Sequence, residues 1–296
     1  MIINMSGGGS PGKIVTVHVT YGNAIGSGAN VVCTNGKKTF AGTTDAAGDA
    51  VFKLTKGTWT ITADKNGSSS STNVSVSEDC TVNMSLFAAT INVTYPAGST
   101  CTATNGSTTL TAPNTSGTWA CVVPNTGTWT ISLGNGFKET VNVNANGANY
   151  TVNRWYLYNR GDQRTYITNG WEGVFYNTNI YKSDVQFYSS YIDCNTPNGY
   201  SIGIRTKNTI NTSGFKTLKF LFTLHSDNGN TSNYSVFGFG TDYNHTDPKY
   251  TRKPSMNVTT ETTASIDCSS LSSAKQVIAS HLYNGTLRIY QVWLEA

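Results

Sequence analysis

"GTWTI" occupies residues 57–61 and returns unchanged at 127–131. Five identical residues that include a Trp, 127 − 57 = 70 positions apart, point to an internal repeat. Two further matches share that offset: "TNG" at 34–36 and 104–106, and "TVN" at 81–83 and 151–153. Upstream, "VHVTY" (17–21) answers "INVTY" (91–95), 74 positions apart. The second copy therefore lacks four residues between its first two strands, in the region of "GSGA" (26–29). These offsets predict two homologous modules over 13–87 and 88–153, preceded by an arm over 1–12 and followed by an unrepeated segment over 154–296.

Around the first copy, "DAVFKLTKGTWTITAD" (49–64) alternates apolar and polar residues on both sides of Lys56-Gly57. The pattern predicts a two-residue hairpin in which Leu54 faces Trp59 and Phe52 faces Ile61, all four on one buried face. Trp59 is then a core plug rather than a ligand platform. In the second copy Val122 is expected to face Ile131, with "GTWA" (117–120) opening the partner strand of the same hairpin. Pro124 stands where the first copy has Leu54, and because Pro cannot donate to a ladder, its strand should be an edge or carry a bulge.

The first module runs "GANV" (28–31), "TTDAAGDAVF" (43–52), then "GTWTI". This order resembles the carboxypeptidase-regulatory-like, or prealbumin-like, β-sandwich, with its Gly-Ala-x-Val strand, Thr-Asp-x-x-Gly turn and Gly-x-aromatic-x-aliphatic strand. The second module keeps only the last element and has "TAPNTSGTW" in place of the turn. The resemblance implies two small Ig-like/prealbumin-like sandwiches that act as spacers or adhesive units and carry no catalytic residues.

Residues 154–296 are denser in aromatics, with Trp155, Trp171 and Trp293 among them. "TLKFLFTLH" (217–225) puts Leu218, Phe220, Phe222 and Leu224 on one strand face. "SSLSSAKQVIASHL" (269–282) has ambiguous apolar spacing and is read as a strand, because Asn284-Gly285 signals a hairpin into "TLRIYQVWLE". Regular turns over about 140 residues fit a two-sheet jelly roll. "INTSGFKTLKF" (210–220), "ASIDCSSLS" (264–272) and "GTLRIYQVWLE" (285–295) together resemble galactose-binding-like, carbohydrate-module jelly rolls of bacteriophage tail and fibre proteins and of some bacterial surface proteins. The opening "MIINMSGGG" is similar to those of short phage structural proteins. The expected fold class is thus all-β: two tandem small sandwiches, then a jelly-roll sandwich.

Only 12% of residues are charged, and no Lys/Arg run forms the basic stripe that nucleic-acid binding needs. No apolar run approaches a membrane span, and the start lacks the basic and apolar regions of a secretory signal. The six Cys fall two per segment (33 and 80, 101 and 121, 194 and 268), and synthesis in a reducing cytosol favours free buried thiols over bridges. No spacing suggests a metal or cofactor. "GGSPG" (8–12) matches a nucleophile elbow without the strand and helix that the elbow requires. "RGD" (160–162) is read as a turn before a strand. Glu172 and several Asp show no pairing for glycosidase chemistry.

What remains is binding. Sugars are recognised by aromatic faces and hydrogen-bonding loops, here 169–173, 226–233 and 241–250, and the candidate ligand residues are Trp171, Asp242, Tyr243 and His245. The expected protein is a non-enzymatic bacteriophage virion component (fibre, tail tip or capsid decoration) assembled in the host cytoplasm. It would meet other virion proteins through residues 1–12, form a homo-oligomer in the particle and hold host surface glycans, with no nucleic-acid or membrane partner. The alternatives are a glycan-degrading phage-tail enzyme and a bacterial cell-surface adhesin.

Overall fold

The computed structural model describes residues 12–162, 164, 170–175, 185–196, 201–226, 234–240, 250–254, 258–271, 276–282 and 285–296. Every regular element among them is a β-strand, so the chain is all-β. The attachment arm, apart from Gly12, lies outside the described residues.

The first copy contributes β1 (Lys13–Tyr21), β2 (Ala24–Ile25), β3 (Asn30–Thr34), β4 (Thr39–Thr43), β5 (Asp49–Leu54), β6 (Gly57–Lys65), β7 (Ser68–Val76) and β8 (Cys80–Leu86). One sheet centres on β1, which pairs antiparallel with β2 and β5 and, on its other side, parallel with β8. The other runs β4-β3-β6-β7. Phe52, Leu54, Trp59 and Ile61 are all buried, as their alternation requires.

They do not, however, meet across a hairpin. Strand β5 pairs with β1, placing Leu54 beside Lys13, while β6 pairs with β3 and β7 in the opposite sheet. Lys56-Gly57 is therefore an arch from one sheet to the other, and Gly57 turns it with φ +136°. Alternation on both sides of a short link fixes which side chains point inward. It does not say whether the second strand folds back beside the first or crosses over to face it.

Several hydrogen bonds recur at equivalent positions of the two copies. Trp59 Nε1 donates to Thr55 O at 2.9 Å, and Trp129 Nε1 to Asn125 O at 3.3 Å. Both rings are fully buried. In the "TNG" turns, Asn35 Oδ1 accepts the amides of Lys37 and Lys38, and Asn105 Oδ1 those of Ser107 and Thr108. The Thr-Asp-x-x-Gly turn of the first copy uses Asp45 Oδ1 to accept the amides of Ala47 and Asp49, which hold its carboxyl below the usual range. The second copy keeps a relic of this turn: Asn114 Oδ1 accepts the Ser116 amide, and Gly117 sits three residues on at φ +92°.

The second copy forms β9 (Ala89–Thr94), β10 (Cys101–Thr104), β11 (Thr109–Thr111), β12 (Thr118–Val123), β13 (Gly127–Leu133), β14 (Lys138–Val143) and β15 (Asn149–Val152), in sheets β12-β9-β15 and β11-β10-β13-β14. Here too the expected hairpin is an arch, because β12 and β13 belong to different sheets. Strand β12 is an edge, and Pro124 follows it directly. The expected inward Val122 is instead 40% exposed, with Cys121 and Val123 buried. The link to Trp129 is one residue longer on the inward count than in the first copy, which turns the strand over by one position.

By contact the chain forms two compact units. One is Met1–Asn92 with Ala120–Trp129 and Val141–Thr151, and the other is Val93–Trp119 with Thr130–Thr140 and Val152–Ala296.

Within the second unit lie β16 (Trp155–Asn159), β17 (Trp171–Phe175), β18 (Val185–Phe187), β19 (Ile192–Thr196), β20 (Ser201–Thr206), β21 (Thr217–Ser226), β22 (Tyr234–Phe239), β23 (Tyr250–Pro254), β24 (Val258–Asp267), β25 (Val277–Leu282) and β26 (Gly285–Glu295). The chain passes repeatedly between a sheet ordered β18-β19-β26-β21-β24, with β16 also on β26, and a sheet ordered β17-β20-β25-β22-β23. This is a jelly-roll sandwich. Leu218, Phe220, Phe222 and Leu224 point into it, and Phe237 from the facing sheet packs on Phe220 and Phe222 at 5.2 and 4.5 Å between ring centroids. Residues 277–282 are a strand, but the Asn284-Gly285 hairpin is also corrected to a crossing. Strand β25 pairs with β20 and β22, whereas β26 pairs with β16, β19 and β21 in the other sheet. None of the six cysteines is in a disulfide; five are buried and Cys80 partly so.

Also in this unit, Glu139 in β14 is buried. Its carboxylate accepts the Tyr156 amide at 2.8 Å and an Arg164 Nη2 bond at 3.0 Å. Burial outweighs both partners and pushes its pKa from 4.5 up to about 7.

Candidate functional site

Of the expected ligand residues, Asp242, Tyr243 and His245 lie outside the described residues, as do most of loops 226–233 and 241–250. Trp171 is described, and it belongs to the interior. It is 4% exposed, and its Nε1 donates to Leu157 O at 3.2 Å. Trp171 opens β17 with an inward side chain, so its ring face is packed rather than offered. Glu172 is tied to Arg205 at 2.7 Å.

Among the described residues, the exposed aromatics are Phe187 and Tyr188 in "FYSSY" (187–191), with Tyr191 and Tyr290 half-buried beside them. Strands β18 and β19 form a true hairpin, closed by the Tyr188 amide on Tyr191 O at 2.9 Å. Along β19, Ile192 and Cys194 point inward, so Tyr191 and Asp193 point outward. Along β26, Leu287 and Ile289 point inward, so Arg288 and Tyr290 point outward. The register pairs Asp193 with Arg288 and Ile192 with Ile289, which brings Tyr191 beside Tyr290. The result is a strip of three rings: Tyr188 to Tyr191 at 5.0 Å and Tyr191 to Tyr290 at 5.8 Å between centroids. Tyr188 is 47% exposed and neighbouring Phe187 39%. Large apolar surface left in water at one place is what marks an interaction site.

Two arginines brace the strip. Arg288 lies over Tyr191 at 5.2 Å and bonds Asp193 through Nε at 3.1 Å. Arg160 lies over Tyr290 at 5.5 Å and grips Glu261 with two bonds of 3.1 and 2.7 Å, which raise its pKa. Arg160 comes from the "RGD" turn, closed by reciprocal Asn159 and Asp162 backbone bonds of 3.0 Å. Both central residues have positive φ, +42° at Arg160 and +94° at Gly161. Tyr158 OH accepts the Gly161 amide at 2.9 Å. The tripeptide is thus a structural support of the strip.

Beyond Tyr290 the strip opens into a pocket of about 330 Å³ lined by Thr223, Leu224, His225, Val258, Thr259, Thr286, Arg288 and Tyr290. Thr223 Oγ1 lies 3.3 Å from Tyr290 Oη, and the register sets Thr223 beside Arg288 and His225 beside Thr286. The pocket sits at the small end of the range for ligand sites, and half of its lining residues, Thr223, Thr259, Thr286 and Tyr290, carry hydroxyls. An aromatic strip leading to a hydroxyl-lined pocket suits a ligand with one apolar face and a polar rim. The described residues contain no cluster of His, Cys, Asp or Glu able to hold a metal.

No family model and no curated protein matches the sequence. Among solved structures, the metal-free carbohydrate recognition domain of Emp46p is similar at 9% identity, over 47% of this chain and 95% of that one, with TM-score 0.34. A carbohydrate-binding module described for specific mannan recognition, TmCBM27, is similar at 11% identity over 46% and 93%, with TM-score 0.28. The enzymatically active domain of tailspike protein 4 of bacteriophage CBA120 is similar at 15% identity over 51% and 22%, with TM-score 0.32. At these scores nothing about this chain's ligand follows from the likeness.

Proposed function

We propose that the chain is a non-enzymatic glycan-binding structural protein, a component of a bacteriophage virion whose terminal jelly roll holds surface glycans of the host. The observation that carries the glycan reading is the Tyr188–Tyr191–Tyr290 strip running into a hydroxyl-lined pocket. A pyranose ring presents C–H groups on its faces and hydroxyls around its rim, and this surface offers a partner to each. The non-enzymatic reading is supported by the two carboxylates that the described residues bring to this face, Asp193 and Glu261. Each is engaged by an arginine, which suits neither the protonated acid nor the free base of glycoside hydrolysis. The virion reading is supported by the tandem spacer modules, by the low-charge strand-rich sequence and by the resemblance of its last segment to phage tail and fibre jelly rolls. In it, residues 1–12 attach the chain to other virion proteins, and copies assemble as a homo-oligomer in the host cytoplasm.

The test is binding of the purified protein to a glycan array, with virion mass spectrometry for the location. Binding to no glycan would sink the first part, and absence from particles the second. New reducing ends on host polysaccharide would reassign the chain as an enzyme.

A further inference from the structure

We propose that the face formed by Tyr188, Tyr191, Tyr290 and the Thr223–Thr286 pocket is selective for neutral sugar chains and does not recognise carboxylated or sulfated ones. The proposal rests on the glycan-binding reading above and adds the chemical class of the ligand.

An acidic sugar is held by a cation whose charge is still available, usually an arginine fork placed for two bonds. Among the described residues this face has two arginines, and each is ion-paired with a carboxylate. Arg160 gives Nη1 and Nη2 to Glu261, and Arg288 gives Nε to Asp193. Each pair sums to zero charge. A ligand carboxylate approaching Arg288 would also meet the Asp193 carboxylate, so attraction and repulsion nearly cancel. Freeing either arginine would break the bonds that place it over its tyrosine. The guanidiniums are therefore props for the rings.

The remaining polar groups suit uncharged hydroxyls. Thr223, Thr259 and Thr286 line the pocket, and each hydroxyl both donates and accepts, as a sugar hydroxyl does. His225 stands at the same rim. Tyr188 offers the most open ring, and Tyr191 and Tyr290 continue the strip toward the pocket. A linear chain stacked on the strip would present one unit to the hydroxyls.

The experiment titrates the full chain with neutral hexasaccharides (malto-, cello-, manno- and chito-series) and with acidic probes (oligogalacturonate, sialyllactose, a sulfated oligosaccharide). Each titration is run at about 0.05 M and about 0.5 M salt, which shortens the screening length roughly threefold. At least one neutral series should bind, with a dissociation constant that changes less than about twofold between the two salts. Tyr188→Ala should weaken it at least about tenfold, as loss of an exposed aromatic anchor does. Tyr188 is nearly half exposed, so this variant should keep the parent's melting temperature, and Thr223→Val supplies a second, isosteric variant expected to weaken binding. Binding of acidic probes alone, or affinity that collapses with salt, would overturn the neutral class while leaving the glycan reading intact. Neutral binding that neither variant weakens would overturn the assignment to this face. Failure to bind any probe would overturn the glycan reading, and the selectivity with it.

Discussion

A β-carbon placed on Gly161 would stand 2.4 Å from the carbonyl oxygen of Ser189. The two residues belong to different turns, 159–162 and 188–191, and the first supports the second. Gly161→Ala meets both this clash and a φ of +94°. It should cost about 1–3 kcal/mol of stability and displace the turn that carries Tyr188 and Tyr191. Glycan affinity should fall although no ligand-facing atom is removed. Calorimetric titration beside a melting curve checks both; unchanged affinity would show that the turn does not position the tyrosines.

Trp59 and Trp129 make equivalent buried bonds in the two copies. Replacement by Phe keeps most of the apolar volume but leaves the Thr55 or Asn125 carbonyl without its indole donor, at about 1–3 kcal/mol each. Replacement by Ala should cost more, about 3–5 kcal/mol, because it also opens a cavity. Denaturant unfolding would read the difference, and equal losses for Phe and Ala would deny the ring its role as core plug.

Glu139, pushed up to about 7 by burial, sets a pH dependence of known sign. Between the ordinary 4.5 and about 7 the folded chain keeps a proton that the unfolded chain has released. Stability from this group is fully present below that window and is lost as pH rises through it, by on the order of 3 kcal/mol. Glu139→Gln, which cannot ionise, should flatten the slope. Melting temperatures taken from pH 5 to about 8 for both proteins test this. A parent slope of opposite sign would refute it.

Burial pushes the Cys33 thiol up to about 12 and the Cys101 thiol up to about 11, and it raises Cys194 as well. The thiolate is the reactive form, so these cysteines should ignore a thiol-specific reagent in the folded chain at mildly alkaline pH. Cys80, partly exposed in β8, should react first. All six should be titrated in denaturant without reductant, and a shortfall there would reveal a bridge.

Much of the architecture is written in the alternation of side chains. Phe52, Leu54, Trp59 and Ile61, and again Leu218, Phe220, Phe222 and Leu224, point inward as their period demands. The partner of each strand is not written there. Lys56-Gly57 and Asn284-Gly285 both look like hairpins, and in both cases the flanking strands lie in opposite sheets. An arch and a hairpin need the same inward pattern and the same permissive link.

The candidate face was hidden for a related reason. Tyr188 and Tyr191 are neighbours in sequence, but Tyr290 reaches them only through the β19–β26 register, and Arg160 only through the turn that follows β16. In the sequence, Trp171 stands in the polar stretch "NGWEG" (169–173), which reads as a loop. Size alone does not separate a ring that plugs a core from one that faces water, and the indole N–H of Trp171 had an interior carbonyl to satisfy. "FYSSY", two aromatic ends around a serine turn, is the one local signal that pointed to the face.

The parallel pairing of β1 with β8 has a mechanical consequence. The first and last strands of the first copy run side by side in the same direction, in register from Val15–Cys80 to Tyr21–Leu86. The chain therefore enters this sandwich at one end of the pair and leaves at the other. Tension between residues 13 and 86 would slide the two strands lengthwise past each other and strain every rung of the ladder together, instead of peeling the rungs one at a time. A module wired in this way resists a pull on its two ends as a shear joint does.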